Sequence, residues 1–111
     1  MPKPRRPKRD DSATLFAALG DQTRLHVVSR LCRSGPTSIA GLTCGSNVTR
    51  QAIAKHLRVM EKAGLVHSHR RGRESVWNLD QRRLAEAQRH LDQISRQWDE
   101  SLHRLRAIVE A

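Results

Sequence analysis

Apolar residues recur along this chain at the three- and four-residue spacing typical of helices, and glycines separate one such run from the next. The pattern predicts a first helix over residues 12–19. A second helix then follows to about Arg33, and the spacing of Leu25, Val28 and Leu31 marks its buried face. A short third helix is expected over residues 38–44. The N-terminal half of the chain is therefore helical.

The next helix has the clearest signals. Thr49 is a good N-cap, and Ile53, Leu57 and Met60 form one apolar stripe that stops before Gly64. The opposite face carries polar and basic side chains. Two short helices separated by a brief turn, the second with an exposed polar face, predict a helix-turn-helix.

Two strands are predicted after this helix, over residues 65–70 and 74–79. Gly72 supplies the positive φ that the connecting turn needs. Trp77 and Leu79 lie on one strand face and should cover the helical core. Arginines remain at the tip, so the pattern indicates a two-stranded antiparallel wing beside the helix-turn-helix.

Residues 81–111 predict one long last helix. Its apolar residues follow a sustained heptad with one polar interruption at Ser101. The two seams are Leu84, Leu91, Trp98 and Leu105, and Ala87, Ile94, Ser101 and Ile108. The stripe could pack on its own domain or form a helix–helix dimer interface. The helix is long beside so small a domain, which favours a homodimer.

Charge is concentrated in two segments of a chain whose net charge is +10. Residues 50–73 hold seven basic side chains and one acid, and residues 1–9 hold five basic side chains and none. Such concentration favours a polyanion partner. Residues 1–11 are predicted to be a disordered basic arm, which either solubilises the protein or adds phosphate or minor-groove contacts. Residues 12–80 then form the DNA-binding domain, and residues 81–111 form its dimerisation helix.

The bulk composition excludes several classes of protein. There is no apolar run of the roughly 20 residues that a membrane span needs. The basic first residues are not followed by the apolar stretch of a secretory signal. A cytoplasmic location with reduced thiols is expected. No catalytic constellation or glycine-rich phosphate loop occurs, so an enzyme and a cofactor are not expected.

Two segments carry a resemblance to a known family. LFAALGDQTRLHVVSRL, residues 15–31, is similar to the "LGDPTRLRIL" signature of the ArsR/SmtB bacterial repressors. VTRQAIAKHLRVMEKAGLV, residues 48–66, resembles their recognition helix. The resemblance implies a winged helix-turn-helix homodimer, with the first and last helices at the interface, that represses by occupying an operator. The implied dimer residues are Leu15, Leu84, Leu91, Ile94, Trp98, Leu105 and Ile108.

This arrangement assigns roles to the exposed residues of the recognition helix and the wing. Arg50 can pair with guanine and Gln51 with adenine, whereas Lys55 and Arg58 are expected to contact phosphates. His56 matches a family histidine and is interpreted as structural. The expected DNA-binding residues are Thr49, Arg50, Gln51, Lys55, Arg58, Arg70, Arg71 and Arg73. The expected partner is double-stranded DNA with an inverted repeat.

No inducer site is recognisable from the sequence. Ser38 and Ala40 stand where many relatives have a metal-binding cysteine pair. In the last helix, Asp92 and His103 share a face and are weak candidates for a metal, because Arg106 replaces the final carboxylate of the family's second site.

Three alternatives remain beside the repressor without a recognisable inducer. A redox pair of Cys32 and Cys44 would make the protein a thiol-based sensor, although Cys32 is interpreted as a buried small hydrophobe. A metal-sensing repressor would use the weak candidates in the last helix. A sequence-indifferent architectural protein would explain the basic charge alone.

Overall fold

Residues 8–110, the part of the chain that the computed structural model describes, form five helices and three short strands. In chain order the elements are α1 (Lys8–Leu19), α2 (Gln22–Ser34), β1 (Thr37–Ser38), α3 (Ile39–Thr43), α4 (Arg50–Lys62), β2 (Val66–Arg71), β3 (Glu74–Leu79) and α5 (Gln81–Glu110). The helices α3 and α4 form the helix-turn-helix, and the hairpin β2–β3 is the wing. This confirms the predicted mainly helical winged helix-turn-helix. No helix within residues 8–110 combines the length and apolar content that crossing a bilayer requires.

The first helix is longer than predicted. It begins at Lys8 rather than at residue 12, so the last part of the stretch predicted as a disordered arm is helical. Pro7 is the last proline before Pro36, and no helix breaker follows it until Gly20. Residues 1–7, with the DNA contacts predicted for them, lie outside the described residues.

Side-chain caps start the next three helices. Asp21 accepts a hydrogen bond from the Arg24 amide at 3.0 Å. Ser38 and Thr49 accept from the amides three residues on, each at 3.1 Å. Each cap pairs a backbone N–H that has no partner inside its helix. The predicted cap of α4 at Thr49 is confirmed.

The core forms around the apolar stripe of α4. Ile53, Leu57 and Met60 are at most 2% exposed, as the spacing predicts. On α2 the buried face is rotated from the prediction, because Val27 and Leu31 are buried while Leu25 is 50% exposed. A buried face that includes positions 24, 27, 28 and 31 follows the 3.6-residue period better than a strict three-residue spacing does.

The wing belongs to a three-stranded antiparallel sheet of order β1-β3-β2. In the hairpin, Arg71 pairs with Glu74, and Gly72 has φ +64° in the turn between them. Trp77 is buried as expected, and Leu79 packs on the core. The pairing of β1 with Val76 and Trp77 was not predicted, since two residues are too short to show strand alternation.

The last helix packs on the domain only near its beginning. Ala87 is buried and Leu84 packs against the core, whereas every residue from 88 to 110 is exposed. Leu15 of α1 is 1% exposed and lies inside the chain's own core, so its assignment to a dimer interface is wrong. Leu15 is too deeply packed to offer surface to a second chain.

Replacing Leu57 with Ala should lower the free energy of unfolding by about 2–5 kcal/mol, since it leaves a cavity at the centre of the core. Val59→Ala, on the 43% exposed side of the same helix, should lower it by under about 1 kcal/mol. Urea unfolding followed by circular dichroism measures both values. Equal losses would contradict the assignment of the core to this face of α4.

Candidate nucleic-acid interface

The face of α4 opposite the core is exposed and basic. Arg50, Gln51, Lys55 and Arg58 are all exposed, and none of them takes part in a salt bridge with a described residue. Because the apolar stripe of α4 faces inward, helical geometry directs these side chains outward together. The face therefore presents positive charge and hydrogen-bond donors that no acid of the described part of the chain neutralises.

The wing extends this basic surface. Arg70, Arg71 and Arg73 are exposed at the hairpin tip. Glu74 stands opposite Arg71 in the strand register, yet the two side chains form no ion pair. The tip keeps a net positive charge on a short two-residue turn. The surface thus combines a helix that fits a major groove with a basic hairpin on the same domain.

A polar cluster formed by Asp21, Arg24 and His56 fixes α4 to α1 and α2. The Arg24 guanidinium donates to the carbonyl oxygens of Ala17 and Ala18 at the end of α1. It also lies 3.1 Å from His56 Nδ1 on α4. His56 is thus partly buried in a structural contact, which agrees with its interpretation from the sequence.

The electrostatics of this cluster favour a charged carboxylate. The Arg24 amide lowers the pKa of Asp21 below its ordinary value of 3.8, with smaller contributions from His56 and the Arg24 side chain. Arg24 was not predicted as a site residue, although it stands inside the quoted "LGDQTR" segment. An arginine three residues after a helix cap, close to the end of the preceding helix, is the signal that could have identified it.

A second arginine holds the other end of α4. Arg83, in the first turn of α5, donates from Nε and Nη2 to the Ala63 carbonyl oxygen at 3.0 and 2.9 Å. Its Nη1 lies 2.6 Å from Glu86 Oε2. Ala63 is the C-cap of α4, where helix carbonyls lack partners and carry partial negative charge. Arg83 therefore connects the recognition helix to the helix that leaves the domain, a link the sequence did not reveal.

Asp80 connects the wing to α5. One of its oxygens accepts from the amides of Arg82 and Arg83 at 2.9 and 3.2 Å, which caps the helix. The other lies 2.6 Å from His67 Nε2 on β2. The His67 hydrogen bond is the main reason that the pKa of Asp80 is below its ordinary value of 3.8. His67 is thus engaged with a carboxylate of its own domain.

Comparison with known proteins places this geometry in a family. Residues 21–68 match the profile described as "Bacterial regulatory protein, arsR family". The chain is 43% identical over 68 residues to the HTH-type transcriptional regulator YuzN of Bacillus subtilis. The aligned part is 56% of this chain and 74% of that protein. The chain belongs to the ArsR family. It is an ArsR-family transcriptional regulator with a winged helix DNA-binding domain.

Solved structures of similar proteins have the same fold as this chain. An ArsR-like regulator from Rhodococcus sp. RHA1 has a TM-score of 0.75 at 36% identity, covering 91% of this chain and 94% of that one. The homodimeric winged helix-turn-helix DNA-binding domain of Mb0332 from Mycobacterium bovis has a TM-score of 0.63 at 18% identity, covering 88% and 91%. The second likeness shows the shared fold.

The candidate effector residues of this ArsR-family protein are not gathered into a site. Within residues 8–110, no three His, Cys, Asp or Glu side chains are placed to hold a metal ion. Asp92 and His103, the weak candidates, are both exposed on α5. Ser38, at one of the positions of the family's cysteine pair, instead caps α3.

The two cysteines are free and exposed. The interpretation of Cys32 as a buried residue is wrong, because Cys32 follows the buried Leu31 and is turned about 100° away from it around α2. A redox role for Cys32 and Cys44 stays an untested alternative.

Replacing His67 with Ala should raise the pKa of Asp80 towards its ordinary value of 3.8, since the main hydrogen bond to the carboxylate is removed. A depressed carboxyl pKa adds stability that is present above the unfolded-state value and disappears as the pH falls through the folded-state value. The variant should therefore lose stability at neutral pH. A carbon-13 NMR titration of the Asp80 carboxyl measures the change, and an unchanged midpoint would contradict it. Exposed His69→Ala is the matched control.

Proposed function

We propose that this regulator is a homodimeric repressor that binds an inverted-repeat operator. One observation carries the proposal: α4 and the wing both expose cations that take part in no salt bridge with a described residue. Such a surface gains free energy by releasing counterions from DNA. Repression follows because an occupied operator excludes other proteins from the same DNA, as the family resemblance implies.

Base recognition is assigned to the first turn of α4. Arg50 and Gln51 lie directly after the Thr49 cap, at the helix end that enters a major groove most deeply. Arg50 supplies a bidentate pair to guanine, and Gln51 supplies one to adenine. Lys55 and Arg58 lie further along the helix and contact phosphates. The wing arginines follow the backbone or enter the adjacent minor groove.

The dimer is assigned to α5. Seven apolar residues of its outer part are about half to three-quarters exposed: Leu91, Ile94, Trp98, Leu102, Leu105, Ile108 and Val109. Five of them belong to the heptad, and a stripe of this kind on a long helix is typical of a helix–helix interface. A two-fold dimer places two recognition helices about 34 Å apart, so that they enter successive major grooves on one face of the DNA.

The competing function is a sequence-indifferent architectural protein. Its attraction to DNA would depend only on charge, and it would release counterions as a repressor does. Competition with a large excess of random DNA separates the two, because random DNA displaces an architectural protein and leaves a repressor on its operator. Selection of bound sequences from a random duplex library supplies that operator.

Replacing Arg50 with Ala should weaken binding to the selected operator by roughly 1–3 kcal/mol and relax the base preference at one position of each half-site. Lys62→Ala, at the far end of the same helix, removes the same charge and should leave the base preference unchanged. Fluorescence anisotropy on the operator and on single-base variants measures both. Unchanged affinity and preference for the Arg50 variant would remove it from base recognition.

Replacing Ile94 with Glu should shift the protein towards the monomer and weaken operator binding, because it places a charge in the apolar seam. Arg96→Glu introduces the same side chain on the opposite face of α5 and should leave the dimer intact. Sedimentation velocity at micromolar concentration measures the oligomeric state. A wild-type monomer under these conditions would contradict the dimer, and a dimer that survives Ile94→Glu would contradict the assignment of its interface to this seam.

A further inference from the structure

A cationic groove lies beside the helix-turn-helix, and none of the residues assigned to DNA above lines it. It has a cavity volume of about 560 Å³ and lies between α2 and the turn that joins α3 to α4. His26, Arg30 and Arg33 line it from α2, and Ser46 and Asn47 line it from the turn. The three α2 residues are four and three positions apart, so they project from one helix face.

The charge in this groove is not balanced locally. None of the described residues that line it carries a carboxylate. Arg30 and Arg33 form no side-chain hydrogen bond or salt bridge with any described residue. Arg24 and Arg83, by contrast, use their guanidinium groups to hold helices together. Two arginines directed into a shared groove without an acid are complementary to an anion.

The groove is continuous with the DNA-reading end of α4. Val48 lines it, and the next residue, Thr49, caps the recognition helix. Arg50, assigned to a base contact, follows directly. Hydroxyl and amide side chains from the turn add neutral donors of the kind that contact phosphate oxygens. An anion held here would lie next to DNA engaged by α4.

A solvated helix face explains part of this arrangement. Arg33 stands in the last turn of α2, where a cation interacts favourably with the helix dipole. That interaction accounts for one charge at the helix end. It does not account for Arg30 one turn earlier, or for the polar turn residues that form the facing wall.

We propose that this groove binds the sugar–phosphate backbone of DNA that flanks the bases contacted by α4. Arg30 and Arg33 donate charge-assisted hydrogen bonds to phosphate oxygens, and Ser46 and Asn47 donate neutral ones. These hydrogen bonds add affinity and fix the orientation of the domain without selecting a sequence. The inference rests on the proposed function, since it extends the footprint of the same DNA complex.

The test compares the salt dependence of operator binding in two double variants. Arg30→Gln with Arg33→Gln should make the slope of log K against log salt shallower by about 0.9 for each phosphate that the variant no longer neutralises. The base preference in a selection experiment should stay as in the wild type. Arg89→Gln with Arg96→Gln removes the same charge from exposed positions of α5 and should leave the slope unchanged. Circular dichroism confirms that each variant is folded.

Hydroxyl-radical footprinting adds a positional measurement. Protection of the backbone outside the half-sites should disappear in the Arg30, Arg33 variant and persist in the α5 variant. An unchanged slope and footprint would overturn the inference while leaving operator binding by α4 intact. Equal slope changes in both double variants would also overturn it, since net charge alone would then explain the effect.

A small free anion, rather than the DNA backbone, is the other ligand that this groove could bind. Inorganic phosphate, added without DNA at constant ionic strength, tests this occupant by its effect on the thermal unfolding of the wild type and of the Arg30, Arg33 variant. Stabilisation of the wild type alone, together with an unchanged salt slope and footprint in the variant, would assign the groove to a small anion and overturn its assignment to DNA. Failure of the wild type to bind any duplex would remove the proposed function and this inference together.

Discussion

The burial of one stripe on α4 determines how this domain presents its charge. Ile53, Leu57 and Met60 are removed from water almost completely, and a helix with one buried face must turn the other outward. Rotation of the helix by a single residue would expose about 100° of apolar surface and bury arginines without partners. The same constraint that stabilises the core therefore keeps Arg50 and Gln51 exposed.

Burial sets the rotation of α4, and two arginines set its position. Arg24 joins its middle to the end of α1 through His56, and Arg83 joins its C-terminus to the start of α5. Both guanidinium groups use helix carbonyls that have no partner within their own helices. Because α1 and α5 also contact each other, α4 is held in a closed arrangement of three helices. Arg83 thereby joins the end of the recognition helix directly to the first turn of α5.

The sequence predicted those parts of the molecule in which local chemistry and packing agree. The Thr49 cap, the α4 stripe and the Gly72 turn each combine a local signal with a consistent burial pattern, and all are present. Leu25 was assigned to the wrong face because a run of apolar residues on α2 allows two registers. The face that is buried also carries Arg24, and the contact of its side chain with α1 is tertiary.

Long-range contacts account for the other differences. Strand β1 exists only because Thr37 and Ser38 meet β3, some forty residues later in the chain. Leu15 was placed at a dimer interface by resemblance, whereas the structure packs it in the core. Arg83 contacts Ala63, twenty residues earlier in the chain, and no sequence spacing predicts such a contact. Of the candidate site, its surface residues were predictable, and the side chains that support them were not.

In the proposed homodimer, the exposed outer part of α5 would make the helical order of this segment depend on protein concentration. A helical segment without tertiary contacts is marginally stable in water, even when its composition favours helix. Every residue from 88 to 110 is exposed within its own chain, so in the proposed homodimer the helical structure of this segment would gain stability from association. Folding of this segment and pairing of two chains would then be one equilibrium. A regulator of this kind would be fully helical only above a threshold protein concentration. The rate at which the cell synthesises it would therefore affect how much of it can bind DNA.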